Sequence, residues 1–281
     1  MTTGSVDAVK ALRERTGAGM MDCKAALRDA GDDIEKAIDI LRKKGMAQAA
    51  KRAGREAKEG LVAARVHGRK AALVEANCET DFVARTDDFE DLVSMALEET
   101  LIQGEGAIHS DKLNQRIAEL SGKIGEKILL RRAKVIQSEK GALFTYIHSN
   151  NKLGVIVELG STKPESAQQA SFHELGKNLA MQVAASNPIC VSRAEVTSAV
   201  LEREKAIYRE EVKGKPEHIV EKIIQGKVDK FYQANCLLEQ PFIRDDKTTI
   251  QALLNQVSKA LGDTLQVKQF VRFQLGEAVS A

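Results

Sequence analysis

Four cysteines, five histidines and the aspartate pairs Asp87–Asp88 and Asp245–Asp246 are the residues from which covalent or metal chemistry could be built in this chain. Cys23, Cys78, Cys190 and Cys236 each stand alone. None is half of a C-x-x-C pair, and none has a histidine at zinc-ligand spacing. Isolated thiols fit a reducing compartment. His67, His109, His148, His173 and His218 are scattered and read as surface or polar-core residues. Asp87–Asp88 and Asp245–Asp246 fall where helix starts and turns use short acceptors. The sequence contains no Gly-rich phosphate loop, serine nucleophile elbow or metal-ligand cluster. These residues predict no cofactor, no metal and no catalytic group. They point to binding.

Two short stretches carry that binding reading. In "NCETDFVARTDDF", residues 77–89, a buried strand ends at Thr80 and is followed by Asp81 and Phe82 before any helix is under way. Phe82 lies seven residues before Phe89. One continuous helix would put both on one face, so periodicity favours a core position for Phe82 over an exposed tip. The second stretch is Met20–Met21. It reads either as core filling or as an adaptable apolar contact at a helix-start loop, because methionine moulds to irregular surfaces.

The elements around these residues form three groups. Val6, Val9 and Leu12 recur at helical spacing until "TGAG" (residues 16–19) stops the helix. A second helix carries Cys23, Ala26, Leu27 and Ala30 and ends at Gly31. Asp32 with Glu35 resembles a capping box for a third helix, which has Ile34, Ile38 and Leu41 on one face and ends at Gly45. The result is a small three-helix bundle over residues 1–45. Residues 46–60 form a basic helical linker with Lys51, Arg52, Arg55 and Lys58, read as a solvated segment or, alternatively, a nucleic-acid arm.

The remainder is an imperfect repeat. "KAALVEANCET" from Lys70 matches "KLGVIVELGST" from Lys152. "FEDLVSMAL" from Phe89 matches "FHELGKNLAM" from Phe172, and "KILLRRAKV" from Lys127 matches "KQFVRFQLG" from Lys268. A preceding strand fits each copy, "LVAARVH" and "ALFTYIH". Each half is therefore a hairpin, a helix and a returning strand, an α+β unit. The halves are 61–140 and 141–188 with 247–281. Residues 189–246 form an insertion of two helices broken near "KGKP" (213–216), charged enough to project as an antiparallel coiled-coil hairpin. Asp87 with Glu90 predicts the start of the helix that carries Phe89.

Composition narrows the function classes. The chain has 281 residues, 43% hydrophobic and 29% charged, which suits a folded multidomain protein. Its 42 basic and 40 acidic residues nearly cancel, and aromatics make up 4% with no Trp. That balance argues against bulk nucleic-acid binding and against a base-stacking surface. The start lacks the segments of a signal peptide, and no apolar run reaches the roughly 18 residues that span a bilayer. A cytoplasmic protein with no membrane contact is expected.

Several long strings then stand together: "LRERTGAGMMDCKAAL" (12–27), "NCETDFVAR" (77–85), "KIGEKILLRR" (123–132), "MQVAASNP" (181–188), "GKPEHIVEKIIQGKVDKF" (214–231) and "LLEQPF" (237–242). In these strings and their order the chain resembles the elongation factor Ts family of bacterial translation factors over essentially its whole length. The resemblance implies a ubiquitin-associated-like N-terminal bundle, a core of two related subdomains and a protruding helical hairpin. It implies elongation factor Tu as partner and exchange of GDP for GTP on that partner, without covalent chemistry. Asp81 and Phe82, flanked by Thr80 and Val83, would enter the partner's nucleotide-binding domain near its magnesium site. Leu12, Met20, Met21, Ile124 and Gly125 would grip a helix of that domain, and His148 would touch another domain. A homodimer or 2:2 complex through the core or hairpin is compatible with it. The chain departs from the family in ending soon after "RFQLGEAVSA", where a further helix is common. It also departs in having Asn235 where a small apolar contact is expected in the loop before "QPF".

Overall fold

A computed structural model gives the fold and describes residues 5–212 and 216–278. The chain divides into two compact units. One takes residues up to Ala63, Ala72–Val135 and the residues from Gln274 onward; the other takes Ala64–Ala71 and Ile136–Phe273. The fold class is α+β, helices with antiparallel sheet.

The first unit begins with α1 (Val6–Thr16), α2 (Met20–Asp29) and α3 (Ile34–Arg52). Ser5 accepts the Ala8 amide at the start of α1, and Gly17 ends that helix in the left-handed region at φ 65°. Such caps are worth about 1 kcal/mol each. Leu12, Cys23, Leu27 and Ala37 are fully enclosed among the three helices. The cap of α3 is Asp33, which accepts the Lys36 amide, and not the expected Asp32. Asp32 sits in the preceding turn at φ 64°, a conformation short polar side chains tolerate.

A three-stranded sheet, most of it in this unit, joins β1 (Glu59–His67), β2 (Lys70–Cys78) and β3 (Leu129–Gln137) in that order. Between β2 and β3 run α4 (Asp81–Ala84), α5 (Asp87–Gln103) and α6 (Asp111–Ile124). Ala72, Val74, Ala76 and Cys78 alternate along β2 and share one core with Phe89, Leu92 and Ala96 of α5 and Leu113 and Leu120 of α6. Thr86 holds the N-cap position of α5, so Asp87 is the first helical residue and not the expected cap.

The end of α3 also differs from expectation. The helix passes through Gly45 and continues to Arg52, taking in the first part of the stretch read as a separate linker. Gly45 is buried where α3 packs against α6. A Cβ there would lie 3.3 Å from the Ala118 carbonyl oxygen, and one on Gly122 would lie 3.3 Å from the Gly45 Cα. This glycine serves close helix approach, and tertiary packing outweighs its poor helix propensity.

The second unit contains β4 (Ala142–Ile147) and β5 (Leu153–Ser161), antiparallel, with Phe144 opposite Val157 and Tyr146 opposite Val155. Then follow α7 (Ala170–Ser186), α8 (Ser198–Glu211), α9 (Glu217–Asn235), β6 (Pro241–Phe242), β7 (Asp245–Thr249), α10 (Ile250–Leu261) and β8 (Leu265–Gln274). The main sheet has the order β4-β5-β8. Phe144, Val155, Val157 and Leu159 share a core with Phe172, Leu175 and Leu179 of α7 and Ile250 and Leu254 of α10.

The two halves share the order hairpin, long helix, second helix and returning strand, and the second helix is a member the sequence reading omitted. Each half places a second helix, α6 or α10, before its returning strand. Its signal was the three-and-four spacing of Leu113, Ile117, Leu120 and Ile124, and of Leu253, Leu254, Val257 and Leu261. A matched pair of glycines marks the repeat as well. Gly60 and Gly141 have φ of 137° and 112°. A Cβ on either would lie about 2 Å from a strand carbonyl, at 2.0 Å from Ala76 and 2.1 Å from Leu159.

The insertion holds α8 and α9, which pack on one another. Lys227 of α9 pairs with Glu211 and lies 5.2 Å from the centre of the Tyr208 ring. Val200, Ile207 and Ile219 remain exposed. The helix break expected at 213–216 lies outside the described residues except for Pro216, the N-cap of α9. Asn235 is not in a loop: it ends α9, with its Nδ2 donating to the Phe231 carbonyl at 2.9 Å.

Candidate functional site

Thr80 turns the end of β2 into the single turn α4. Its backbone is extended, and its hydroxyl accepts the Val83 amide at 3.4 Å. Val83 and Ala84 point inward and join the core. Thr86 donates its hydroxyl to the Val83 carbonyl at 2.8 Å, closing the turn from the far side. The turn ends at Arg85, whose φ of −102° is not helical, and α5 starts afresh at Asp87.

This break decides the position of Phe82. The seven-residue spacing to Phe89 holds only within one helix, and here there are two. Phe89 is fully enclosed while Phe82 is 80% exposed. The core reading of Phe82 is therefore overturned. A ring left in water forgoes the roughly 1.5–3 kcal/mol its burial would contribute. Beside it, the half-buried Asp81 pairs with Arg85 at 2.9 Å. An exposed pair of this kind is worth little, so the carboxylate can change partners at small cost.

A second segment fixes the tip. Gly125 ends α6 at φ 87°, and the turn brings Glu126 back toward β2. One Glu126 oxygen accepts the Glu79 and Thr80 amides at 3.1 and 3.0 Å, and the other accepts the Thr80 hydroxyl at 2.7 Å. In return, the Glu79 carboxylate accepts the Lys127 amide at 2.6 Å and the Arg55 guanidinium at 3.1 Å. The Lys127 amide first, with Arg55 behind it, holds the Glu79 carboxyl below its usual range. Ser121 donates to the Glu126 carbonyl at 2.6 Å, and Arg52 donates to the Ser121 carbonyl at 3.1 Å. Arg52 and Arg55, read as cations of an open linker, are thus engaged within the fold.

Cys78 lies beneath the tip and donates to the Thr80 carbonyl at 3.1 Å. Burial, with Glu126 and Glu59 nearby, pushes its thiol to about 12, so it is a structural donor and not a nucleophile. Among the described residues no group of three His, Cys, Asp or Glu side chains could hold a metal ion. The arrangement presents an apolar ring and a carboxylate on a fixed turn.

The other anticipated residues fall in several places. Met20 and Met21 are the first residues of α2, 53% and 76% exposed, so they are not core filler. Leu12 is fully buried in the bundle and offers no side-chain surface. Ile124 is half-buried against the core, next to Gly125. His148 belongs to the second unit, exposed just after β4, with Nδ1 3.1 Å from the Tyr146 hydroxyl. The structure thus joins Thr80–Val83 to Ile124–Gly125 through Glu126. Sequence reasoning missed Glu126 itself. Its signal was a carboxylate directly after a C-capping glycine, inside "KIGEK".

Among the described residues no helix is long and apolar enough to cross a membrane. Comparison with known proteins gives a consistent answer. The family model described as elongation factor TS matches residues 79–277. An elongation factor Ts of Nitratidesulfovibrio vulgaris (strain DP4) is 48% identical, covering 97% of this chain and 96% of that one. Those of Prosthecochloris aestuarii and Clostridium acetobutylicum are 45% and 43% identical, each covering 98% of this chain and 100% and 93% of their own lengths. With matches of this length and identity, the chain belongs to the elongation factor Ts family of translation elongation factors.

Proposed function

We propose that this chain is the guanine nucleotide exchange factor of elongation factor Tu, acting in the cytoplasm by coupled binding and not by covalent chemistry. The observation that carries the reading is Phe82, an exposed aromatic ring beside Asp81 on a turn held from both sides. Exchange is coupling between two ligands of one protein. If the factor weakens GDP binding by some ratio, GDP weakens factor binding by the same ratio, and each tenfold is about 1.4 kcal/mol. The factor must therefore prefer the nucleotide-free conformation of Tu. Phe82 supplies that preference by wedging apolar area between the helices that support the phosphate and magnesium loops. Asp81 disturbs the network that holds the magnesium ion, the largest local charge on the phosphates.

Met20, Met21, Ile124 and Gly125 anchor the complex on one helix of the same domain, and His148 touches another domain. The helices α1 to α3, ending at Arg52, act as a ubiquitin-associated-like bundle, 61–140 and 141–188 with 247–281 as the two subdomains, and 189–246 as a coiled-coil hairpin. The exposed Val200, Ile207 and Ile219 support the hairpin as a contact element. A homodimer or 2:2 complex would form through it or through the core. Nucleic acid and membrane are not partners.

The test is release of a fluorescent GDP analogue from elongation factor Tu, chased with unlabelled GDP, with and without this protein. Acceleration at substoichiometric amounts is expected. Complex formation with an unchanged off-rate would make the protein an adaptor instead.

A further inference from the structure

The tip and the α6–β3 turn are linked by a hydrogen-bond relay that ends on the helix turn bearing Phe82. The Thr80 hydroxyl donates to Glu126 at 2.7 Å and accepts from the Val83 amide. A hydroxyl has one proton and two lone pairs. Because the hydroxyl proton points at Glu126, a lone pair is left facing the start of α4. The same carboxylate takes the two amides at the end of β2, which have left the sheet ladder. Three donors converge on one side chain, and only a carboxylate has acceptors for all three. An amide would offer one acceptor oxygen and turn a donor toward Thr80. The backbone of Glu126 is itself held by Ser121, a buried residue.

We infer that Glu126 is a positioning residue for exchange: it sets the direction of Asp81 and Phe82 through Thr80, before the partner arrives. The inference rests on the exchange-factor reading for its consequence, but the ordering of the tip can be measured without it. Pre-ordering matters because a ring that must be oriented during docking loses conformational entropy at that step. Glu126 also follows Ile124 and Gly125 directly, so its three hydrogen bonds connect this turn to the tip.

The experiment compares Glu126→Ala, Glu126→Gln and Thr80→Val with the full wild-type chain. Two readouts are used: hydrogen exchange of the peptide covering residues 80–88 in the free protein, and GDP release from elongation factor Tu at saturating factor. Faster amide exchange at the tip is expected in all three. The saturated release rate should fall about tenfold in Glu126→Ala and less in Glu126→Gln, with affinity for nucleotide-free Tu falling alongside it while affinity for GDP-bound Tu changes less than threefold. Glu126→Ala combined with Thr80→Val should be no worse than Glu126→Ala alone. Wild-type tip protection in the variants would overturn the positioning role. So would an affinity loss that is equal for GDP-bound and nucleotide-free Tu, or a loss that appears wholly in the folded fraction measured by thermal unfolding. If wild-type protein does not accelerate release, the exchange reading fails, and the hydrogen-exchange arm still decides whether Glu126 orders the tip.

Discussion

At the scale of single residues, Phe82 and the methionines should separate two contributions. Phe82 is 80% exposed, so Phe82→Ala removes almost no packing from the fold. We expect an unchanged melting temperature and a saturated GDP-release rate reduced by roughly ten- to a hundredfold, the equivalent of burying one ring. Stopped-flow release and thermal unfolding on the same samples check both halves. Unfolding of the variant would return Phe82 to a structural role. Met20→Ala with Met21→Ala should do the opposite, raising the Kd about tenfold with the saturated rate intact, because in the proposed function these side chains hold the partner without entering its nucleotide site. A titration of the release rate against factor concentration distinguishes the two. The types and order of these residues were legible in the sequence. Their exposure was not, because it depends on a helix break at Arg85–Thr86 that no proline or glycine announces.

At the scale of elements, the two halves predict paired penalties. Gly60 and Gly141 each combine a left-handed φ with a strand carbonyl about where a Cβ would go. Alanine at either should cost at least about 3 kcal/mol, strain of about 1–3 kcal/mol with steric overlap added. Gly68→Ala should cost only about 1–2 kcal/mol, since it has positive φ but open space. Urea unfolding of the three variants tests this, and a mild effect at Gly60 with a severe one at Gly141 would deny the equivalence. The repeat was visible in the strand strings because buried strands keep their apolar run. The second helix of each half was legible only from its own three-and-four apolar spacing, because the α6 and α10 sequences have diverged and no string repeats between them. Gly45 misled for a different reason. A glycine reads as a helix end until a second helix is known to cross it.

At the scale of the molecule, a buried charge cluster joins residues far apart in the chain. The Glu75 carboxylate is fully enclosed and accepts Arg131 at 2.9 Å, Arg132 at 2.6 Å and the Gly276 amide at 2.9 Å. Arg132 also pairs with Glu277 at 2.9 Å. Burial alone would raise the Glu75 carboxyl, but the Gly276 amide and the two guanidiniums outweigh it and hold the group below its usual range. A carboxyl lowered in the folded state contributes stability that is fully present above its unfolded value, about 4.3. That stability is lost as pH falls through the folded value. The urea midpoint should therefore be flat from pH 7 to about pH 5 and fall below that. Glu75→Gln should lower stability by about 3 kcal/mol at pH 7, leaving Arg131 and Arg132 undercompensated, and should flatten the acid slope. An unchanged slope would place the acid sensitivity elsewhere.

The sequence by itself determined the fold class, the repeat, the family and the residue types of the candidate site, because periodicity, buried-strand runs and long specific strings are local properties. It also supplied the expectation of binding over covalent chemistry. Tertiary structure decided which of those residues face water and what holds them. Phe82 is outside because Val83 and Ala84 take the inward positions of a one-turn helix. Leu12 is inside because three helices close on it. Glu126 reaches the tip because a turn after α6 carries it across to Thr80. Each of these depends on the approach of segments distant in sequence, which local pattern does not encode.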